Sequence, residues 1–225
     1  SNFRRDDLFV ELAKAYNQNF QPEKALQLLL SHVFVACEGG EHAIADQYMY
    51  AWFQLGMAKK AAGDWAGCYE LLEKALTLPK NLGSGIWNRC KYVPYQFHMA
   101  ECLEHMGKKE DAQSIYRMIL DIEVEFFSNM HLRELPYYQA LCAEALGLQQ
   151  KAWNIMARAK RDWSFNLDRK DNGFFSTTPF FISFAQGPAI ARRAYYQYLL
   201  GLVKLYEGDR ERAKALFRES YAGNS

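Results

Sequence analysis

The chain reads as an all-α protein built from stacked helix–turn–helix units, and three observations predict this. Gly63, Gly107, Gly147 and Gly208 are each followed five positions on by a small residue (Cys68, Ala112, Ala152, Ala213). Nine positions on stands a large apolar one (Leu72, Tyr116, Met156, Phe217). A small residue also stands seven positions before each turn: Gly56, Ala100, Ala140 and Gly201. Phe20 opens a fifth copy in the glycine position, with Ala13 ahead of it and Ala25 and Leu29 behind. Glycine enters left-handed backbone space at little cost, so it ends one helix in a tight turn. The small residues let the two helices approach, and the large one fills the space beyond. Units of this kind bury their apolar faces by stacking on one another.

About ten helices follow from the pattern. Asp6 or Asp7 can cap the first, which runs to about Gln18, and Pro22 sits in the first turn of the second, which reaches about Val33. The loop Ala36-Cys37-Glu38-Gly39-Gly40-Glu41 leads into a long third helix ending at Gly63. Asp64 caps the fourth, which Pro79 and Gly83 end. Helices are predicted over about 91–106, 108–127, 129–146 and 148–163, with Pro136 kinking or starting the third of these. Residues 164–188 break the period and form an irregular, aromatic insert carrying Phe174, Phe175, Phe180, Phe181 and Phe184. Helices over about 189–206 and 209–222 complete a single domain spanning 1–225. Ser1-Asn2 reads as the scar of a protease cleavage, and the chain as a piece excised from a larger protein.

Composition narrows the function classes. Half of the 225 residues are hydrophobic and 15% aromatic, enough for a sizeable core. Lysine and arginine total 27 against 26 acidic residues, so no global charge favours nucleic acid or an anionic membrane. No apolar run reaches the roughly 18–20 residues that span a bilayer. Five scattered cysteines, an odd number, suit buried thiols in a reducing compartment and hence a cytoplasmic location.

Three copies carry a family resemblance. Trp52, Leu55-Gly56, Gly63, Cys68, Leu72 and Ala75 form one, and Leu12-Ala13, Tyr16, Ala25 and Leu29 another. Leu200-Gly201, Gly208, Ala213 and Phe217 form the last. Together they resemble tetratricopeptide repeats. The chain departs from that pattern at Lys59 and Lys204, where Tyr or Leu is usual, and at Phe20. Successive turns lie 43, 44, 40 and 61 residues apart, against the family's spacing of about 34. The resemblance implies a tetratricopeptide-like helical-hairpin solenoid of about five helix pairs, with long connectors and the aromatic insert.

The connectors carry a second resemblance. Glu38-Gly39-Gly40-Glu41, Leu78-Pro79-Lys80-Asn81-Leu82-Gly83 and the aromatic insert are similar to the C-terminal repeat region of a group of large, uncharacterised bacterial proteins. The N-terminal part of those proteins resembles a carbohydrate-enzyme-like β-sandwich. This likeness implies an accessory region, with any chemistry in a partner domain.

Residues able to do chemistry are sparse. His98 and Cys102 share a helical face at a spacing two metal ligands could use, but no second ligand pair accompanies them. Glu101, Glu104 and His105 could form an acid–base group or simply a solvated face. Gly83-Ser84-Gly85 lacks the lysine and the setting of a phosphate loop. The expectation is a chain that is not an enzyme and needs no cofactor or metal.

The binding reading has more to work with. In tetratricopeptide arrays the first helix of each pair lines an inner groove. Carried over by position, this places Val10, Lys14 and Asn17 there, then Tyr50, Phe53, Met57 and Lys60, then Phe97, Glu101 and Glu104. Tyr137, Leu141 and Glu144 follow, then Tyr195, Tyr198 and Leu202. So aromatic a face suits the side chains of a peptide or the apolar face of a sugar. Alternatively, connectors or the insert fill the groove. A second contact surface is expected at the connectors, through Glu38, Glu41, Trp87 and Phe180. The expected partners are protein, either a peptide segment or the parent's N-terminal domain, with carbohydrate as a further ligand class. Nucleic acid and membrane are not expected.

Overall fold

The structure, a computed structural model, describes residues 6–35, 41–83, 89–123, 134–168 and 188–223. Among these are ten α-helices and no strand: α1 (Asp6–Gln18), α2 (Pro22–Ser31), α3 (Glu41–Ala61), α4 (Trp65–Ala75), α5 (Val93–His105), α6 (Lys109–Leu120), α7 (Leu135–Ala145), α8 (Gln149–Asp168), α9 (Pro188–Tyr206) and α10 (Arg210–Ala222). Two compact units divide the chain, Ser1–Leu132 and Arg133–Ser225. In the first, the hairpins α1/α2, α3/α4 and α5/α6 stack in order, with α2 against α3 and α4 against α5. In the second, α7/α8 and α9/α10 pair, and α8 packs on α9.

The five hairpins share one turn. Gly63, Gly107, Gly147 and Gly208 have φ between 76° and 81°, and Phe20 has φ 54°. The next residue's N–H returns to a carbonyl five positions earlier in every copy: Gln21 to Tyr16, Asp64 to Lys59, Lys108 to Leu103, Leu148 to Ala143 and Asp209 to Lys204, at 2.7–3.0 Å. That bond satisfies a carbonyl the ending helix would leave orphaned. Asp64 and Asp209 then cap the following helices, accepting from the Gly67 and Arg212 amides.

Burial follows the repeat. Ala13, Ala100, Ala140, Ala25, Cys68, Ala112, Ala152 and Ala213 are all essentially inaccessible, as are Leu29, Leu72 and Tyr116. Where glycine replaces alanine in the first helix, the large residue of the second closes in. A Cβ on Gly56 would sit 3.2 Å from Leu72 Cδ2, and one on Gly201 would sit 2.4 Å from Phe217 Cε1.

Some boundaries differ from the sequence expectation, each for a local reason. The second helix stops at Ser31 because His32 turns extended (φ −113°, ψ 147°) and its ring is drawn to Asp6. α6 ends at Leu120 rather than about 127, and α7 begins at Leu135 with Pro136 in its first turn, as proline favours. α8 continues to Asp168, five residues into the segment expected to be irregular. Asn166 there donates to the Asp162 carbonyl at 2.7 Å, one helical turn back, which suits a helix as well as a break. The rest of the expected insert, 169–187, lies outside the described residues.

Candidate functional site

In the first unit, two stripes of side chains face each other across α3 and the start of α5. Asp46, Tyr50, Phe53, Met57 and Lys60 recur every three or four residues on α3, so they share one face. Lys91, Tyr95 and His98 do the same opposite, with Glu101 beside them. At one end Lys91 Nζ donates to both Asp46 oxygens at 2.8 Å. Phe53 meets the Tyr95 ring edge-on at 5.1 Å between centroids, and the His98 ring at 5.6 Å. At the other end His98 Nδ1 lies 2.5 Å from Glu101 Oε2 and 3.1 Å from Lys60 Nζ, and Lys60 donates to the same carboxylate.

Electrostatics follow from this geometry. Burial pushes the Glu101 carboxyl up, but the hydrogen bonds from His98 and Lys60 outweigh it and hold the group below the usual glutamate range. Burial drives the Tyr95 phenol far above its ordinary value, and the nearby Asp46 adds to the effect. Both lysines of the stripe are therefore matched by a carboxylate. The surface left between the two ion pairs is aromatic and uncharged. Tyr50, at 44% exposure, is its most open member.

Phe97 stands differently from its neighbours. It is 7% exposed and packs on Tyr116 of α6, inside the hairpin, while Tyr95 takes the place beside Phe53. Asn17 is likewise buried, donating to the Gln47 carbonyl and side-chain oxygen at 3.0 Å. Glu104 accepts from the Tyr116 hydroxyl at 2.9 Å, and His105 stacks flat on Trp65 at 3.6 Å. The acid–base group that Glu101, Glu104 and His105 could have formed is therefore dispersed. So is the His98–Cys102 pair: His98 faces Lys60 and Glu101, whereas Cys102 lies in the core beside Cys68. Among the described residues no group of three metal-ligating His, Cys, Asp or Glu side chains comes together.

The second unit has its own aromatic face. Tyr195 and Tyr198 of α9 stack at 6.2 Å, and the Tyr195 hydroxyl donates to Glu134 Oε2 at 3.0 Å, just ahead of α7. Tyr198 also touches Phe217, and Tyr137 of α7 meets Tyr138 edge-on. Nearer the turn, the Tyr206 hydroxyl donates to Glu144 at 2.8 Å; burial and that carboxylate push its phenol up to about 12. Lys160 and Lys204 both donate to Glu207 and hold its carboxyl below the ordinary range.

Glu38, Trp87 and Phe180, together with the side chain of Glu41, lie outside the described residues. The roots of the first two connectors are well defined, however. The Phe34 amide donates to the Asn81 carbonyl at 2.8 Å, and Asn81 Nδ2 donates to the Leu29 and His32 carbonyls at 2.9 and 2.7 Å. Asp6 accepts from the Val35 amide at 3.0 Å and pairs with His32 Nε2 at 2.8 Å. The His32 ring in turn stacks on Phe9 at 4.1 Å. From sequence Asn81 was only a turn residue, and Asp6 only a helix cap. Asp46, Lys91 and Tyr95 drew no attention, although their three- and four-residue spacing was there to be read.

One hairpin of the chain matches a known repeat family. Residues 95–122, which are α5, its turn and α6, match the tetratricopeptide repeat family model. A solved Podosopora anserina protein, described as a kinesin light chain with nearly identical TPR-like repeats, is 17% identical over 97% of this chain and 94% of its own, with a TM-score of 0.37. A single-substitution variant of that protein gives 16% identity, the same coverage and a TM-score of 0.36. The fold assignment rests on the hairpins and the matched repeat. Tetratricopeptide repeats are typically non-catalytic and bind proteins or peptides. No helix among the described residues is long and apolar enough to cross a membrane.

Proposed function

We propose that the chain is a non-catalytic scaffold whose α3/α5 face receives an extended, largely uncharged peptide segment rich in aromatic or proline residues. The observation that carries this is the ladder Asp46–Lys91, Tyr50, Phe53–Tyr95 and Lys60–His98–Glu101. Its charges neutralise one another, so a charged tail would have to displace an existing ion pair to bind. An apolar side chain needs only to cover the rings between them. Preformed extended segments dock on aromatic surfaces with little loss of chain entropy.

Selection of displayed peptides on the purified chain tests this. Enriched sequences should be low in charge and should bind Tyr50→Ala roughly 30-fold more weakly, the loss expected of a central aromatic contact. Acidic or basic consensus sequences, or binding indifferent to Tyr50→Ala, would refute the assignment.

A second reading places contacts at the connectors, with the chain as an accessory region beside a carbohydrate-active domain. The Phe34–Asn81 tie supports it, because it roots two connectors at one edge of the unit. Asn81→Ala should loosen that edge, and hydrogen exchange at the Phe34 amide should quicken. Binding to a separately expressed N-terminal domain of the parent chain should then weaken. Unchanged binding alongside faster exchange would remove the connectors from the interface.

A further inference from the structure

We propose that Cys68 and Cys102 form a modification site, a dithiol that a hydroperoxide converts to a disulfide joining the second hairpin to the third. Cys68 lies on α4 and Cys102 on α5, the two helices through which these hairpins stack. Both are free, fully buried and in one apolar cluster with Leu72 and Met99. The third described cysteine, Cys142, is equally buried and belongs to the second unit, whose sequence holds no second cysteine.

The chemistry separates the two sulfurs into distinct roles. The neighbouring Cys102 and the Lys60 ammonium favour the thiolate at Cys68 against the opposing effect of burial, whereas Cys68 and burial hold Cys102 protonated. The thiolate is the nucleophile towards peroxides. Cys68 sulfur attacks the terminal oxygen of the O–O bond, giving a sulfenic acid and releasing the alkoxide, which takes up a proton as alcohol. Cys102 sulfur then attacks the sulfenic sulfur, and the hydroxyl leaves as water with the Cys102 proton. Two thiols lose two electrons in total and the peroxide gains them. Both sulfurs are inaccessible in the closed fold, so peroxide reaches Cys68 in transient local openings of the cluster, and Cys102 attacks once it has reclosed. Glu101, which precedes Cys102, and Lys60 belong to the peptide-binding face proposed above. The bond would therefore fix the two sides of that face relative to each other. The site itself stands on the thiol geometry and not on that assignment.

Hydrogen peroxide treatment of the purified chain, followed by denaturing alkylation and peptide mapping, tests the proposal. The expected result is loss of two hydrogens in mass, a cross-linked peptide pair containing Cys68 and Cys102, and reversal by dithiothreitol. The oxidised chain should also unfold at higher urea. Cys102→Ala should leave Cys68 as a trapped sulfenic acid, detected with dimedone, and Cys68→Ala should leave Cys102 unreacted. Both thiols remaining alkylatable, or a disulfide of other connectivity, would overturn the assignment. The wild-type mapping decides this even if a variant fails to fold.

Discussion

Replacing Gly201 by alanine sets two physical effects against each other, and the structure says which wins. Intrinsic propensity alone favours the change, since alanine in a helix interior is better than glycine by about 1 kcal/mol. The new Cβ, however, would lie 2.4, 2.7 and 3.1 Å from three ring atoms of Phe217. Carbon atoms rest at roughly 3.5–4.0 Å, so the ring must retreat by roughly 1 Å. Tyr198 already packs on that ring at 5.7 Å between centroids, which leaves it little room to move. Overpacking of this kind costs about 1–3 kcal/mol, so the net expectation is destabilisation by up to about 2 kcal/mol. Gly56→Ala is the internal comparison. Its Cβ would meet the buried Leu72 side chain at 3.2 Å, a shortfall of tenths of an ångström, and the change should be near neutral. Urea unfolding followed by circular dichroism measures both. Adding Phe217→Leu to Gly201→Ala should recover part of the loss, because the shorter side chain vacates the space. A Gly201→Ala chain more stable than wild type, or a double variant showing no coupling, would refute the steric argument.

Two further outcomes are expected. Phe20 holds a left-handed φ of 54° while 83% exposed, so Phe20→Gly relieves backbone strain with almost no loss of burial. Stability should rise by about 0.5–1 kcal/mol after allowing for glycine's freer unfolded state, and a fall in the urea midpoint would show that Phe20 makes stabilising contacts. Glu101 is held below its ordinary value of 4.5, so its folded-state stabilisation is fully present above that pH and is lost as pH falls through the depressed value. Glu101→Gln should therefore be less stable than wild type at neutral pH, with the gap closing in acid; a gap independent of pH would mean the carboxylate contributes through shape alone.

How legible was this molecule? The turn positions could be read because each depends on local chemistry. Glycine's tolerance of positive φ and the Asp64 and Asp209 caps act within a few residues of themselves. The buried alanines and Cys68 were legible for a related reason, since a stacked hairpin imposes the same spacing in every copy. Half of the proposed face was visible too, as the periodic Tyr50, Phe53, Met57 and Lys60 on one helix.

Beyond that range the sequence was silent. Nothing in the spacing of α5 says that Phe97 turns into the hairpin towards Tyr116 while Tyr95 meets Phe53, because both positions are aromatic and two residues apart. The rotation of α5 about its axis decides between them, and that rotation is set by how α4 and α6 pack against it. The neutrality of the face is likewise tertiary, since Lys91 finds Asp46 across 45 residues and Lys60 finds Glu101 across 41. Asn81 joins connectors that lie 49 residues apart at its His32 contact, and Cys68 meets Cys102 only because two hairpins stack. The sequence by itself determined where the chain turns and which small residues go inside, because turns and helix caps are short-range. Which side chains face one another was left to the tertiary structure, because stacking fixes the rotation of each helix and periodicity alone does not.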